Sequence, residues 1–527
     1  MKRGIKILNL ILLAFLALAF LGHASTTSYS MQIDSVTPYD HGVVVTVSYT
    51  DYSSHQTRIN VYYYNTTSKE LLYNKTFAGC PSAFTFTYDG KLYLVIRVTT
   101  YNSYYSSVYV FQGFKLVNHY RTHYMFIVKH NPLFNITSPI LEYSSPGCVK
   151  YIITLNSTNI TLTNQFPVIL LKLPEGLLVV TSKVVSIAKI FHMSLLITRF
   201  NVYNFTLYNY NGKIIWSRAY RIFLNIPTSC VLNQYGYSAL ISGFLKSHYI
   251  TLVGDEIYIM NLTSASINEV NLTIVGINIK TGQIVNRINL DNVPPYQEAI
   301  LNIGGKLYAV IFNNEAVVEE YNGHYLVRVA EIPVKIVAVS YTPGIMLPPG
   351  EKVYPTAIQV AASVIIYNFG KYLLFINSGN VTVVYPGGVM HYTLQGEVPL
   401  HVYSDNAIVL SKDGNVEVAF LNNDGGVEKV INIGKANNIT TMFALCLCNN
   451  GTSTYPQVII VKHYVVKVYK NEITVYGVSF NSSVEVNSQI NVPIKFHSEV
   501  TTKLPALGVA VITILVGVLL AIVLVKK

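Results

Sequence analysis

Residues 274–289 read Ile274-Val-Gly-Ile-Asn-Ile-Lys-Thr-Gly-Gln-Ile-Val-Asn-Arg-Ile-Asn289: an apolar alternating run, an x-x-Gly turn, then a second alternating run. Period-two alternation of β-branched residues on either side of a short Gly turn specifies a β-hairpin. Working outward, the same grammar recurs from about residue 33 to 490. Gly42–Tyr49, Lys91–Val98, Gly304–Phe312 and Lys371–Ile376 are strand-like runs. Turns supplied with positive-φ residues lie at Asp89-Gly90, Asn211-Gly212, Thr281-Gly282, Asn322-Gly323, Asp413-Gly414 and Asp424-Gly425. No amphipathic helix of three turns interrupts the pattern, so the reading is all-β.

The hairpins group into candidate units near 33–79, 80–118, 122–173, 177–227, 237–290, 298–335, 357–395, 401–433 and 441–480. Each holds three or four short strands, the size of a propeller blade. The fold expected is a β-propeller of about seven to eight blades over residues 25–480, with tandem β-sandwich domains as the alternative. Sandwiches require linkers at regular intervals, and the candidate breaks are Val293–Tyr296 and Thr342–Gly350. The second reads as either a domain boundary or a long loop on a propeller face.

Residues 274–289 and Tyr208–Trp216 resemble the outer hairpin of quinoprotein-like β-propeller blades. That resemblance implies a propeller. It implies no cofactor, because the family's ring of docking tryptophans is missing and Trp216 stands alone.

The two ends carry an address. Lys2, Arg3 and Lys6, the apolar run Ile7–Leu21 and the small-x-small site Gly22-His23-Ala24 form a signal peptide over residues 1–24. Residues 505–525 are uncharged and long enough to cross a bilayer as a helix. Lys526 and Lys527 follow as a cytoplasmic tail, in keeping with positive-inside orientation. Residues 481–504 are expected to be a stalk, and the protein a single-pass one with its mass outside the cell.

The formal charge is +11, and +6 once the five terminal basic residues are set aside. No basic run suits nucleic acid. Charged residues make up only 12% of the chain while Tyr reaches 41, so the surface must rely on Tyr, Asn, Ser and Thr. So few carboxylates suit an acidic medium. N-glycosylation sequons occur at Asn65, Asn74, Asn135, Asn156, Asn159, Asn204, Asn261, Asn271, Asn380, Asn438, Asn450 and Asn481. The exported Cys80, Cys148, Cys230, Cys446 and Cys448 are disulfide candidates, one of them left over. Cys446 and Cys448 are too far apart on one strand to bridge each other.

Catalytic and metal motifs are missing. His119 and His123, four apart, would present two ligands to one metal on a helix, but their surroundings read as strand or loop, where that spacing gives no shared site unless a third ligand such as His130 folds in. The adjacent acids Asp255-Glu256 and Glu319-Glu320 point to opposite faces of a strand. Asp413-Gly-Asn and Asn423–Gly426 lack the alternating oxygens of a calcium loop and read as turns. No catalytic, cofactor-binding or metal residue is nominated. Tyrosine clusters at Tyr62–Tyr64, Tyr101–Tyr105 and Tyr120 with Tyr124 read either as ligand contacts or as packing between blades.

In style the whole chain resembles membrane-anchored surface glycoproteins of thermophilic archaea. The function expected is a non-catalytic module that binds a protein partner or glycan in the cell envelope. The alternatives are an extracellular propeller hydrolase or lyase with a funnel site, and the ectodomain of a transporter or secretion complex or a viral surface protein.

Overall fold

The computed structural model describes residues 29–222, 249–342, 357–436 and 458–478 and the strand Gln489–Ile490, apart from short breaks. The segments 1–24 and 505–527 lie outside the described residues. Among the described residues, no helix is long and apolar enough to cross a membrane.

The described residues form a β-propeller of nine blades, each a four-stranded antiparallel meander at its centre. The blades span 29–78, 82–122, 125–163, 166–222, 250–293, 298–333, 365–393, 398–434 and 458–490. The expectation of seven to eight blades is therefore corrected to nine: every candidate unit, however short, closes its own sheet. The tandem-sandwich alternative fails as well, because the apolar faces are shared between consecutive sheets around a ring. Among the described residues, nine hydrophobic clusters fill the nine interfaces. The cluster joining blade 9 to blade 1 sets Val466, Val468, Ile473 and Val475 against Ile33, Val43, Val45 and Val47. Each terminal blade owns all four of its strands, so the ring closes by side-chain packing rather than by a shared strand.

Burial on both faces explains the continuous apolar runs. In the second strand of blade 1, Val43, Val44 and Val45 are all fully buried, alternate residues facing blades 9 and 2. The fourth strand forms the rim and is largely exposed, as in Lys115–Thr122 and Val427–Gly434.

Three boundaries differ from expectation. Phe166–Leu173 opens blade 4 instead of closing blade 3, because blade 3 begins with a three-residue strand, Met125–Ile127, too short to show a period. Phe134–Asn135, from the same blade-3 segment, crosses to pair in parallel with blade 4 on the hub edge. Blade 9 takes its outer strand, Gln489–Ile490, from the segment expected to be stalk. Thr342–Gly350 falls in a connection between blades 6 and 7, flanked by the paired strands Ile336–Thr342 and Ala357–Ala362.

Meander topology sorts the loops onto two faces. Turns joining strands one to two and three to four share one face, the turn face. Hairpins joining strands two to three, and all blade-to-blade connections, share the other, the connection face. On the turn face, Asp89-Gly90 has positive φ at both residues, as a tight hairpin requires.

Candidate functional site

Tyrosine accounts for much of the ring's cohesion. Tyr62, Tyr63 and Tyr64 are buried in blade 1, so this cluster packs rather than binds. Other tyrosines donate across seams. Tyr39 Oη donates to the Gly113 carbonyl of blade 2 at 3.0 Å, Tyr392 to Gly425 of blade 8 at 3.0 Å, and Tyr464 to His41 of blade 1 at 2.8 Å. Tyr220 likewise donates to Gly282, on which Trp216 of the same rim strand also rests. Each reaches a backbone oxygen in a turn of the next blade, which is why these positions call for a long side chain with a terminal donor.

An aspartate and a histidine on the hub strands, both half-buried, are shifted by desolvation. In the first strand of blade 1 a bulge between Ile33 and Ser35 displaces Asp34. The residue is half-buried, and its carboxyl accepts hydrogen bonds from Gln32 Nε2 at 3.0 Å and from Ser48 Oγ. Desolvation raises its pKa to about 8; the Ser48 bond pulls the other way and is outweighed. Beside it, Ser35, Thr37 and Thr85 form a hydroxyl seam between blades 1 and 2. In blade 8, burial holds His401 below its ordinary pKa, edge-on to Tyr403. Both groups are therefore biased towards neutrality.

A concave site opens on the turn face between blades 8 and 9. It is a cavity of about 520 Å³ lined by Asp405, Asn406, Asn422, Asn423, Glu428, Lys462 and His463, with Phe420 and Leu421 as its apolar wall. Three short turns build it: the first of blade 8, the last of blade 8 and the first of blade 9. Backbone hydrogen bonds hold them in place, Leu421 N to Asn406 O at 2.7 Å and Val478 N to His463 O at 2.7 Å. Asn422 Oδ1 accepts the Gly426 N–H at 2.9 Å, and Asn423 Oδ1 accepts Lys371 Nζ at 2.6 Å. Asp405 is exposed at the mouth, yet the walls desolvate its carboxyl enough to raise its pKa. The Lys462 N–H it accepts and the charges of Lys462 and His463 oppose that rise.

Lys462 is backbone-strained. It fills the first position of a two-residue turn with φ of 53°, a left-handed conformation that favours glycine. Retaining a long cation there costs about 1 kcal/mol. Strain of this kind concentrates at functional sites.

Of these lining residues the sequence singles out only Asn423, as part of a turn. The sites that it does nominate scatter. Asn74, Asn159 and Asn380 are exposed on strands; Asn65, Asn204, Asn261 and Asn271 are half-buried. Asn65 Oδ1 accepts the Ser68 N–H at 2.6 Å. Asn135 lies on the short hub strand. Asn156, Asn438, Asn450 and Asn481 lie outside the described residues, as do Cys230, Cys446 and Cys448. Cys80 and Cys148 are both free thiols. His119 stacks on Tyr109 from a rim strand, and no group of metal ligands occurs among the described residues. Three of the four paired acids are occupied in ion pairs and hydrogen bonds: Asp255 with Lys280 at 2.6 Å, Glu320 with Lys306 at 2.5 Å, and Glu256 with Tyr258 and Asn286.

No protein-family model matches the chain, and no curated protein matches its sequence. Among solved structures it is similar to Pyrococcus horikoshii acylaminoacyl peptidase, at 9% identity over 74% of this chain and 51% of the peptidase, with a TM-score of 0.29. Porphyromonas gingivalis dipeptidyl peptidase 4 matches at 11% identity, 73% and 58% coverage and a TM-score of 0.34. The β-propeller domain of the Trilobed protease from Pyrococcus furiosus matches at 6%, 74% and 92%, with a TM-score of 0.28. The chain spans about half the length of the first of these. Superpositions this loose transfer no reaction or ligand to it.

Proposed function

We propose that this chain is a membrane-anchored surface glycoprotein of the thermophilic archaeal type, exported by residues 1–24 and held by a helix over 505–525. It acts as a non-catalytic module of the cell envelope that binds a polar, hydroxyl-rich ligand, a glycan, in the cavity between blades 8 and 9. The observation that carries this reading is the composition of that cavity. Carboxamides, carboxylates, a lysine and a histidine surround a single aromatic side chain in a volume suited to one or two sugar rings. Three rigid turns preorganise them.

Orientation supports the same reading. Both the first described strand and the last meet the connection face with their outer ends, so a membrane tether following Ile490 leaves the turn face, and the cavity, pointing away from the bilayer.

The test is a glycan-array and calorimetric screen on the full-length chain in mild detergent, repeated with Asn423→Ala and His463→Ala. Saturable binding lost in both variants supports the reading. Absence of glycan binding, with recovery of a stoichiometric protein partner from host membranes, replaces the glycan by a protein. Turnover abolished by Asp405→Asn would instead favour the hydrolase, since the raised pKa of Asp405 suits a general acid.

A further inference from the structure

The cavity between blades 8 and 9 holds two carboxamides whose orientation is settled by their neighbours. Asn422 Oδ1 accepts backbone N–H groups from Asp424 at 3.0 Å and from Gly426 at 2.9 Å. Asn423 Oδ1 accepts the Lys371 ammonium at 2.6 Å, across the seam from blade 7. Carboxamide nitrogen and oxygen are otherwise hard to tell apart, but a backbone N–H and an ammonium can only donate. The atoms they meet must therefore be the oxygens. Each side chain keeps its Nδ2 hydrogens, which meet no partner among the described residues, in the wall of the cavity.

Both asparagines consequently offer a ligand donors only. Lys371 strengthens the Asn423 donor, because a cation on the oxygen polarises the N–H groups at the other end. From blade 9, the Lys462 ammonium adds further donors and no acceptor. It enters no ion pair among the described residues; Asp405 accepts its backbone N–H instead. Acceptors come from the exposed carboxylates of Asp405 and Glu428. Two ammonium groups set against two carboxylates leave the site near charge balance. Selection therefore falls to the fixed direction of its donors. A sugar hydroxyl donates as readily as it accepts, so it does not need amides locked one way. A carboxylate does, because it presents two oxygens and no hydrogen. The same demand accounts for a lysine kept at φ of 53°, where glycine would relax the backbone.

We propose that the cavity recognises an acidic sugar, a hexuronate, by its carboxylate. The carboxylate accepts hydrogen bonds from Asn422, Asn423 and Lys462, and ring hydroxyls donate to Asp405 and Glu428. This deepens the glycan reading of the same cavity and rests on it. Lys371 is a positioning residue: it holds the Asn423 amide in its donating direction from the far side of the seam.

The experiment titrates the full-length chain in mild detergent, by calorimetry, with oligogalacturonate, oligoglucuronate and oligomannuronate. Their methyl esters, which keep the ring and remove the charge, are run in parallel. At least one uronate should bind. Its ester, and the acid on Lys462→Met, should bind about 10- to 100-fold more weakly, the range for a lost charge-assisted hydrogen bond. Lys462→Arg should retain binding. Lys371→Met should narrow the acid-to-ester ratio at an unchanged melting temperature, which a merely structural role would not do. Acid and ester bound equally, and lost together in Asn423→Ala, would overturn the acidic class and leave the glycan reading standing. Uronate binding insensitive to both Lys462→Met and Asn423→Ala would place it elsewhere on the chain and overturn the proposal. No uronate bound, with a neutral glycan captured on the array, would overturn the proposal alone. No glycan of any kind bound would overturn both readings.

Discussion

Replacing Asp34 by Asn should flatten a pH dependence that the desolvated carboxyl imposes on the whole ring. The folded protein holds this carboxyl at a pKa of about 8, against the ordinary 3.8 of an exposed aspartate. Below pH 4 the group is protonated whether the chain is folded or not, and the stability it permits is fully present. As pH rises, the unfolded chain releases the proton first, so stability falls through the window from about 4 to about 8 and levels off above it. The slope is at most about 1.4 kcal/mol per pH unit, and the whole fall at most about 6 kcal/mol. That is an upper bound, because the half-buried residue keeps some hydration. His401 acts in the opposite sense: its lowered pKa costs stability as pH drops below its ordinary range. Comparing Asp34→Asn with the parent at each pH removes that contribution. The assay is thermal unfolding of full-length protein in detergent, followed by circular dichroism from pH 4 to 8.5. The parent's melting temperature should fall relative to the variant's by about 1–2 °C per pH unit. Parallel curves would refute the argument and mean that water or a cation already satisfies the carboxylate. A stability maximum on the acidic side would also agree with the scarcity of surface carboxylates.

Three further predictions concern seams and site. Gly282 has φ of 67°, and an added Cβ would sit 2.5 Å from the Trp216 ring, so Gly282→Ala should cost more than about 1 kcal/mol. Gly305→Ala, with φ of 86° and open space around it, should show the backbone penalty alone in the same melting assay. Tyr464→Phe removes the hydrogen bond to His41 across the closing seam and should cost about 1 kcal/mol, with hydrogen exchange accelerating first in blades 9 and 1. Lys462→Gly relieves left-handed strain and should stabilise the chain by up to about 1 kcal/mol in denaturant titrations. If the cavity binds its ligand through this lysine, the same variant should weaken ligand binding in calorimetry.

The β class, most blade limits and the outer hairpins are legible in the sequence, because these follow from interactions among residues close in the chain. Alternation, Gly turns and β-branched runs act over ten residues or fewer, and 274–289 forms the expected hairpin. Blade 3 departs from its expected limits where its first strand, Met125–Ile127, is too short to show a period. The tyrosines are visible as a composition, but their use as cross-seam donors depends on carbonyls placed up to 423 residues away, as for Tyr464 and His41. The cavity is invisible in the sequence for the same reason. Asp405, Asn423 and His463 look like ordinary turn residues until ring geometry stacks three turns side by side. Asp34 is one acid among 26, and only its desolvation at a bulge between two blades sets its pKa apart. Local sequence determines strands and turns through short-range sterics and periodicity. Which polar groups lose water, and which meet, is decided by the closing of the ring, because desolvation and convergence belong to the packed surfaces and not to the chain.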